Sequence, residues 1–398
     1  MSSGDGDAAD WAPETRLIRG GLSRSPEGET SEALFLNSGF VYETAADAEA
    51  RFKGEQDGFI YSRYGNPTVA MFEERLRLLE GAEACFATAT GMAAVFAALM
   101  AQVKAGDRIV ASRALFGSCH HILTQILPRF GVDAVLVDGP DLDQWAEALK
   151  PGAACVFMET PANPTLELID IAAVSELAHA AGARVVVDNV FATPMYQRPL
   201  ELGADVVVYS ATKHIDGQGR CLGGAILSTR GFVDELLMPF MRHTGPSMSP
   251  FNAWVLLKGL ETLPLRVEKM AASAADLAGH LQTMPRVTKV HYPGLDSFPQ
   301  AELARRQMES GGTLVAFEIE GGKPGAFDCL DRLKIVDISN NLGDSKSLIT
   351  HPETTTHRAI SEEDRRRIGV TSGLVRLSVG LENVEDLKRD FTQALSNY

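Results

Sequence analysis

Short runs of apolar and β-branched residues recur through the middle of the chain, at 84–88, 108–111, 134–137, 155–159, 184–188, 206–210 and 225–228. Between most of them lie stretches of helical period, among them 91–104, 119–130, 143–149 and 171–181. A strand that is apolar throughout needs cover on both faces, and strands alternating with helices form βαβ units. The pattern therefore predicts an α/β fold with a mostly parallel seven-stranded sheet flanked by helices. Past about residue 260 the texture changes. A long helical stretch, 262–282, precedes four strand-like runs at 288–292, 313–319, 334–338 and 374–379, and 385–395 closes the chain as a helix. This predicts a smaller C-terminal α+β domain with its own core. Ahead of the first strand, 15–63 is rich in Gly, Ser, Glu and aromatics without a period. It reads as an extended arm, with a short helix at 45–52, of the kind that packs on a second subunit. The expected partition is 1–62 arm, 63–260 large α/β domain and 261–398 small domain.

Composition narrows the function classes. Of 398 residues, 45% are hydrophobic and 22% charged, which excludes disorder for most of the chain. The formal charge of −15 argues against a nucleic-acid surface. The longest apolar run, 92–103, is interrupted by Gln102 and is too short to span a bilayer. The acidic N-terminus lacks a basic-then-apolar secretory pattern. The five cysteines form no CxxC pair and lie mostly among apolar neighbours. Reduced structural thiols in a cytoplasmic protein are expected.

Ligands of open α/β sheets bind beyond the carboxyl ends of the strands. Three such ends carry chemistry here. One strand ends in Asp188. Another runs into Ser210-Ala211-Thr212-Lys213-His214. The first passes through Thr90-Gly91-Met92 into a helix whose free N–H groups favour an anion. Each has a plain alternative: Thr90 as a simple cap, Asp188 as a cap or ion-pair partner, Lys213 as a surface charge. Neither GxGxxG between strand and helix nor a Walker A motif is present, and Gly217-Gln218-Gly219 lacks the last glycine. A lysine behind a buried strand can lose its proton and form an imine with an aldehyde. A phosphate cradle, a buried aspartate and such a lysine are together what pyridoxal 5′-phosphate requires.

The run VVVYSATKH at 206–214 resembles the cofactor-lysine signature of the Cys/Met-metabolism family of pyridoxal-phosphate enzymes. YSRYGNPT at 61–68, TGMAA at 90–94, ETPANPT at 159–165, VDN at 187–189 and RLSVGLE at 376–382 agree in order and spacing, so the resemblance extends from Thr15 to Tyr398. It implies a fold-type-I enzyme in which Lys213 holds the cofactor and shuttles protons, and Asp188 pairs with the ring nitrogen. Gly91, Met92, Ser210 and Thr212 would bind the phosphate. Tyr61 and Arg63 would reach the phosphate of a neighbouring subunit, in a homotetramer of dimers with shared active sites. Arg376 would clamp the substrate α-carboxylate, a task suited to a guanidinium. Without the resemblance, Arg376 reads as a domain-interface ion pair.

Some positions depart from the commonest family pattern. Phe116 stands where many members stack a tyrosine on the ring, and phenylalanine has no hydroxyl to donate. Asn340 and Asn341, expected to touch substrate, replace an acidic, aromatic or other residue followed by Ser. Cys119, His120 and His121 predict a helix packed on the core, and no metal is expected. A neutral Asn340 offers no counter-charge to the ammonium of a cysteine moiety. DISNNLGDSKSLITHPETTTH at 337–357, LFGS at 115–118 and GQGRCLGG at 217–224 look most like the members that act on O-succinylhomoserine with sulfide. This implies γ-replacement, giving L-homocysteine and succinate on the way to methionine. Cystathionine γ-synthase, acetyl-ester sulfhydrylase and γ-lyase activities remain the alternatives. A catalytically silent module on this scaffold is disfavoured by the intact Lys213, Asp188 and Arg376.

Overall fold

Seven strands, β1 (Ala84–Thr88), β2 (Arg108–Ser112), β3 (Asp133–Val137), β4 (Cys155–Glu159), β5 (Arg184–Asp188), β6 (Val206–Tyr209) and β7 (Gly224–Ser228), form one sheet in the computed structural model. The structure describes residues 10–396, so the first nine residues of the expected arm lie outside it. The strand order is β1-β7-β6-β5-β4-β2-β3, and the sheet is mostly parallel, with β1 and β7 pairing antiparallel. A second sheet has the order β10-β11-β12-β9-β8, from β8 (Val287–His291), β9 (Leu314–Ile319), β10 (Asp337–Ile338), β11 (Leu348–Thr350) and β12 (Leu374–Ser378). By contacts the chain divides into two compact units. One takes in the chain up to Ala101, Val208–Thr212 and Arg220–Thr262; the other holds Gln102–Val207, Lys213–Gly219 and the chain from Leu263 onward.

In the first unit the N-terminal segment is not wholly extended. Pro13–Arg19 is helical, and Ala45–Lys53 forms the expected short helix, its start closed by a reciprocal Thr44–Asp47 capping box. The helix Pro67–Glu80 begins at Asn66, whose side chain accepts from the Thr68 N–H, and ends at the left-handed Gly81. On its inner face Arg75 is buried and ion-paired with Glu32 at 2.6 Å, and Lys258 donates to the other Glu32 oxygen. A buried charge is stable only when paired, so this triad anchors the segment around Glu32 to its own unit.

The second unit holds the parallel strands β2 to β5. Cys155–Glu159 is buried at every position, and Arg184–Asp188 at all but the first, as strands covered on both faces require. Its other core gathers Leu277, Leu281, Val315, Phe317, Leu377 and Phe391. Phe317 and Phe391 meet edge to face at 5.8 Å. Two local expectations change. The run 334–338 yields only the two-residue β10, because the Lys334, Ile335 and Val336 amides donate to the Asp390 carboxylate instead of a ladder. The helical stretch 119–130 breaks into three turns of different pitch. Pro128, which has no N–H to give, stands in the last of them. Cys119, Cys155 and Cys329 are buried free thiols, while Cys85 and Cys221 are partly exposed.

Candidate active site

Lys213 follows β6 and points its Nζ at Asn341 Oδ1, 2.6 Å away. Burial first, and the positive charge of Arg376 second, lower its pKa to about 8. The approach of the 341–343 turn to Lys213 depends on Gly343. A Cβ there would meet the His214 N at 2.6 Å and the Lys213 carbonyl carbon at 3.0 Å, and its φ is +71°. Next along the chain, His214 is buried, bonded to Thr313 Oγ1 at 2.7 Å and held neutral by burial, with its pKa lowered to about 3.

Arg376 lies on β12 and is 1% exposed. Its Nη1 donates to Asn163 Oδ1 at 2.8 Å, and its Nη2 to the carbonyls of Asn340 at 2.9 Å and Asn341 at 3.3 Å. Its Nε is buried without a partner, an orphan donor suited to an incoming carboxylate. The two asparagines thus divide their work: Asn341 touches Lys213 through its side chain, whereas Asn340 serves Arg376 through its backbone and is itself exposed.

Asp188 and Glu159 face each other in register at the carboxyl ends of β5 and β4. Asp188 accepts the Val190 N–H at 3.1 Å. Burial pushes both carboxyls above their ordinary range, and the charge of Asp188 pushes Glu159 further. Glu159 accepts two amides, from Phe116 at 2.8 Å and from Asn163 at 2.8 Å. Phe116 is the residue preceding the helix Gly117–His121. His357 Nε2 meets the Asn163 carbonyl at 3.1 Å; burial, then the charge of Arg376, lower its pKa to about 4. Glu159, Asn163 and His357 lie in segments that carry the family resemblance, yet the sequence alone gives these three residues no role. Glu159 ends β4 and Asn163 stands just past it, a signal of position that His357 lacks.

The remaining candidates fall in the other unit. Thr90 Oγ1 caps the helix Gly91–Met100 by accepting from Ala93 N, which leaves the Gly91 and Met92 N–H groups without intrahelical acceptors. A Cβ on Gly91 would lie 2.5 Å from the Ser210 Cβ, so this turn requires glycine. Thr212 Oγ1 exchanges hydrogen bonds with Gly223 N and O. Tyr61 and Arg63 line a cavity of about 530 Å³ together with Leu36, Ser38 and Met248. Arg63 donates to the Arg242 carbonyl and stacks over Tyr64 at 4.8 Å.

These side chains fit pyridoxal 5′-phosphate. They include a lysine of weakened basicity, a buried aspartate and a helix start with free amides and no room for a Cβ. Without the cofactor, the Lys213 amine is expected to titrate near pH 8, where surface lysines stay charged to about pH 10. The sign follows from burial, which disfavours the charged form; Arg376→Leu removes a like charge and moves the midpoint up. Acylation rate against pH, read at the Lys213 peptide, checks both, and a midpoint near 10 in the parent protein refutes the depressed basicity.

A profile of the Cys/Met metabolism PLP-dependent enzymes matches residues 14–396. The chain is 60% identical over 383 residues to an O-succinylhomoserine sulfhydrylase of Mycobacterium tuberculosis, covering 95% of this chain and 94% of that one. It is 48% identical over 392 residues to an O-succinylhomoserine sulfhydrylase of Pseudomonas aeruginosa, covering 98% and 97%. Among solved structures, an O-acetylhomoserine (thiol)-lyase from Campylobacter jejuni superposes with a TM-score of 0.93 at 31% identity, over 97% of this chain and 100% of that one. That structure contains an N′-pyridoxyl-lysine-5′-monophosphate residue.

Proposed function

The chain belongs to the Cys/Met-metabolism family of PLP-dependent enzymes, and on that premise we propose that it converts O-succinyl-L-homoserine and sulfide to L-homocysteine and succinate. The observation that carries the reading is the near-full-length likeness to two sulfhydrylases. The neutral acceptors around Lys213 and Arg376 support it. The bound cofactor supplies an electron sink for bonds at the α-carbon and beyond. Arg376 orients the substrate by its α-carboxylate, taking up the free Nε donor. Asp188 would pair with the ring nitrogen and keep it protonated. Lys213 would hold the cofactor and move protons. Its Nζ takes one from Cα, and its weakened basicity suits it to give the proton back near neutral pH. Asn341 holds that Nζ in place between transfers. Phe116 would stack on the ring without adding an acid, and Gly91, Met92, Ser210 and Thr212 would bind the phosphate. In the net reaction the Cγ–O bond breaks, succinate leaves with the electron pair, and hydrosulfide forms the Cγ–S bond.

The same reading places Tyr61 and Arg63 at the phosphate of a neighbouring subunit, in a homotetramer built from dimers with shared sites. The segment 1–62 serves as the arm that completes them, alongside the 63–260 and 261–398 domains. The enzyme works in the cytoplasm on small molecules, with neither nucleic acid nor membrane as a partner. Among the described residues no helix is long and apolar enough to cross a membrane. The deciding experiment sets sulfide against cysteine with O-succinylhomoserine saturating, and counts homocysteine against cystathionine. Among the described residues no carboxylate accepts from Lys213 or from Arg376, so none stands there to receive a second ammonium. Leaving that charge unpaired costs more than the 1.4 kcal/mol that makes about a tenfold rate difference. Sulfide is therefore expected to win by at least about tenfold in kcat/KM. Mostly cystathionine would overturn the reading in favour of a cystathionine synthase.

A further inference from the structure

The guanidinium of Arg376 is buried, yet its hydrogen-bond acceptors are an amide oxygen and two backbone carbonyls, all neutral. A buried cation needs compensating charge. If a carboxylate bonded it directly, an incoming substrate carboxylate would have to displace that partner. One residue supplies compensation without competing. Glu159 receives the Asn163 N–H, and the Asn163 side chain receives Arg376. Its second oxygen receives the Phe116 N–H, at the opposite wall of the same cluster. We propose that Glu159 is a positioning residue for the reaction: its carboxylate braces Phe116 and Asn163 against each other and acts, across Asn163, as a counter-ion that leaves the Arg376 donors free for substrate.

This rests on the reading of Lys213 and Arg376 as the cofactor and carboxylate ligands. Each Glu159 oxygen accepts one N–H, and these two bonds, with the charge of Arg376, favour the ionised form against the burial and the Asp188 charge that oppose it. The ionisable groups facing Glu159 are Asp188 from β5, Arg376 from β12 and Cys119 from the helix Gly117–His121. His357 stands one step away, behind the Asn163 carbonyl. Asp188 repels the Glu159 charge and Arg376 attracts it, so the two carboxyls in register have different tasks: one toward the ring, one toward the clamp.

Two variants of the holoenzyme separate brace from charge. Glu159→Gln keeps the volume but presents one acceptor and one donor to two amides, and removes the charge. Glu159→Asp keeps the charge but is one methylene too short to reach both amides. Both are expected to raise KM for O-succinylhomoserine by at least about tenfold, with a smaller change in kcat. Only Glu159→Gln is expected to move the pH midpoint of the cofactor's visible absorbance. The shift is downward by at least about 0.5 unit, because the Arg376 charge that already weakens the proton affinity of Lys213 is then no longer offset by Glu159. In Glu159→Asp that midpoint stays near the parent value. Unchanged KM in either variant overturns the brace, and an unmoved midpoint in Glu159→Gln overturns the counter-ion. Should Glu159→Gln fail to fold, loss of the parent midpoint in Glu159→Asp overturns the counter-ion in its place. Lack of turnover by the parent enzyme would instead refute the proposed substrate, while the absorbance measurement, which needs only bound cofactor, still decides the charge role.

Discussion

Lys213→Ala protein is expected to lose at least about 10⁴-fold in turnover of O-succinylhomoserine with sulfide. The loss is this large because on the proposed reading one atom, Nζ, would both hold the cofactor and move the proton at Cα. Among the described residues no second lysine bonds to Asn341 Oδ1, and His214, next to Lys213 in the chain, is neutral and tied to Thr313. Borohydride reduction of the parent enzyme followed by peptide mapping should put the pyridoxyl group on Lys213. A label on another lysine would sink the assignment. The variant also tests the shared site. Arg63→Ala should weaken cofactor binding in a neighbouring subunit. Mixing Arg63→Ala with Lys213→Ala chains under subunit exchange should restore part of the activity, because some sites then receive an intact residue from each chain. No recovery, with exchange verified by mass, would mean that each site is built from one chain.

Arg376→Lys is expected to lower kcat/KM by about 10²–10³-fold, mainly through KM, even though charge is retained. The guanidinium places donors on Asn163 Oδ1 and on the Asn340 and Asn341 carbonyls while keeping Nε in hand. An ammonium has three donors and no planar fork, so holding this scaffold leaves nothing aimed at a carboxylate. The loss corresponds to about 3–4 kcal/mol of transition-state binding. Steady-state kinetics check it. A change confined to kcat with KM intact would show that Arg376 does not hold the substrate.

Much of this is legible in the chain itself. Five-residue strands such as Cys155–Glu159 and Ala84–Thr88 announce themselves because a run that is apolar throughout can be satisfied only between covered faces. Lys213 and Asp188 stand out because a charge directly after a buried strand is costly unless it has a task. Sequence also determined the capped helix start at Thr90, since capping chemistry is local. What it could not determine depends on partners far along the chain. Lys213 and Asn341 are 128 positions apart, and Arg376 and Asn163 are 213 apart. Nothing in either neighbourhood says that Asn341 offers its side chain to a lysine while Asn340 offers only its carbonyl. The two-residue β10 follows from Asp390, distant in sequence, which takes the three amides that a strand would have used. Glu159 shows the same limit. Alone it is a carboxylate at the end of a strand. Only the meeting of β4 with β5 sets it against Asp188, and only the fold brings it the amides of Phe116 and Asn163. Local chemistry is written residue by residue; which buried charge answers which is decided by packing, because desolvation and hydrogen bonding act on neighbours in space.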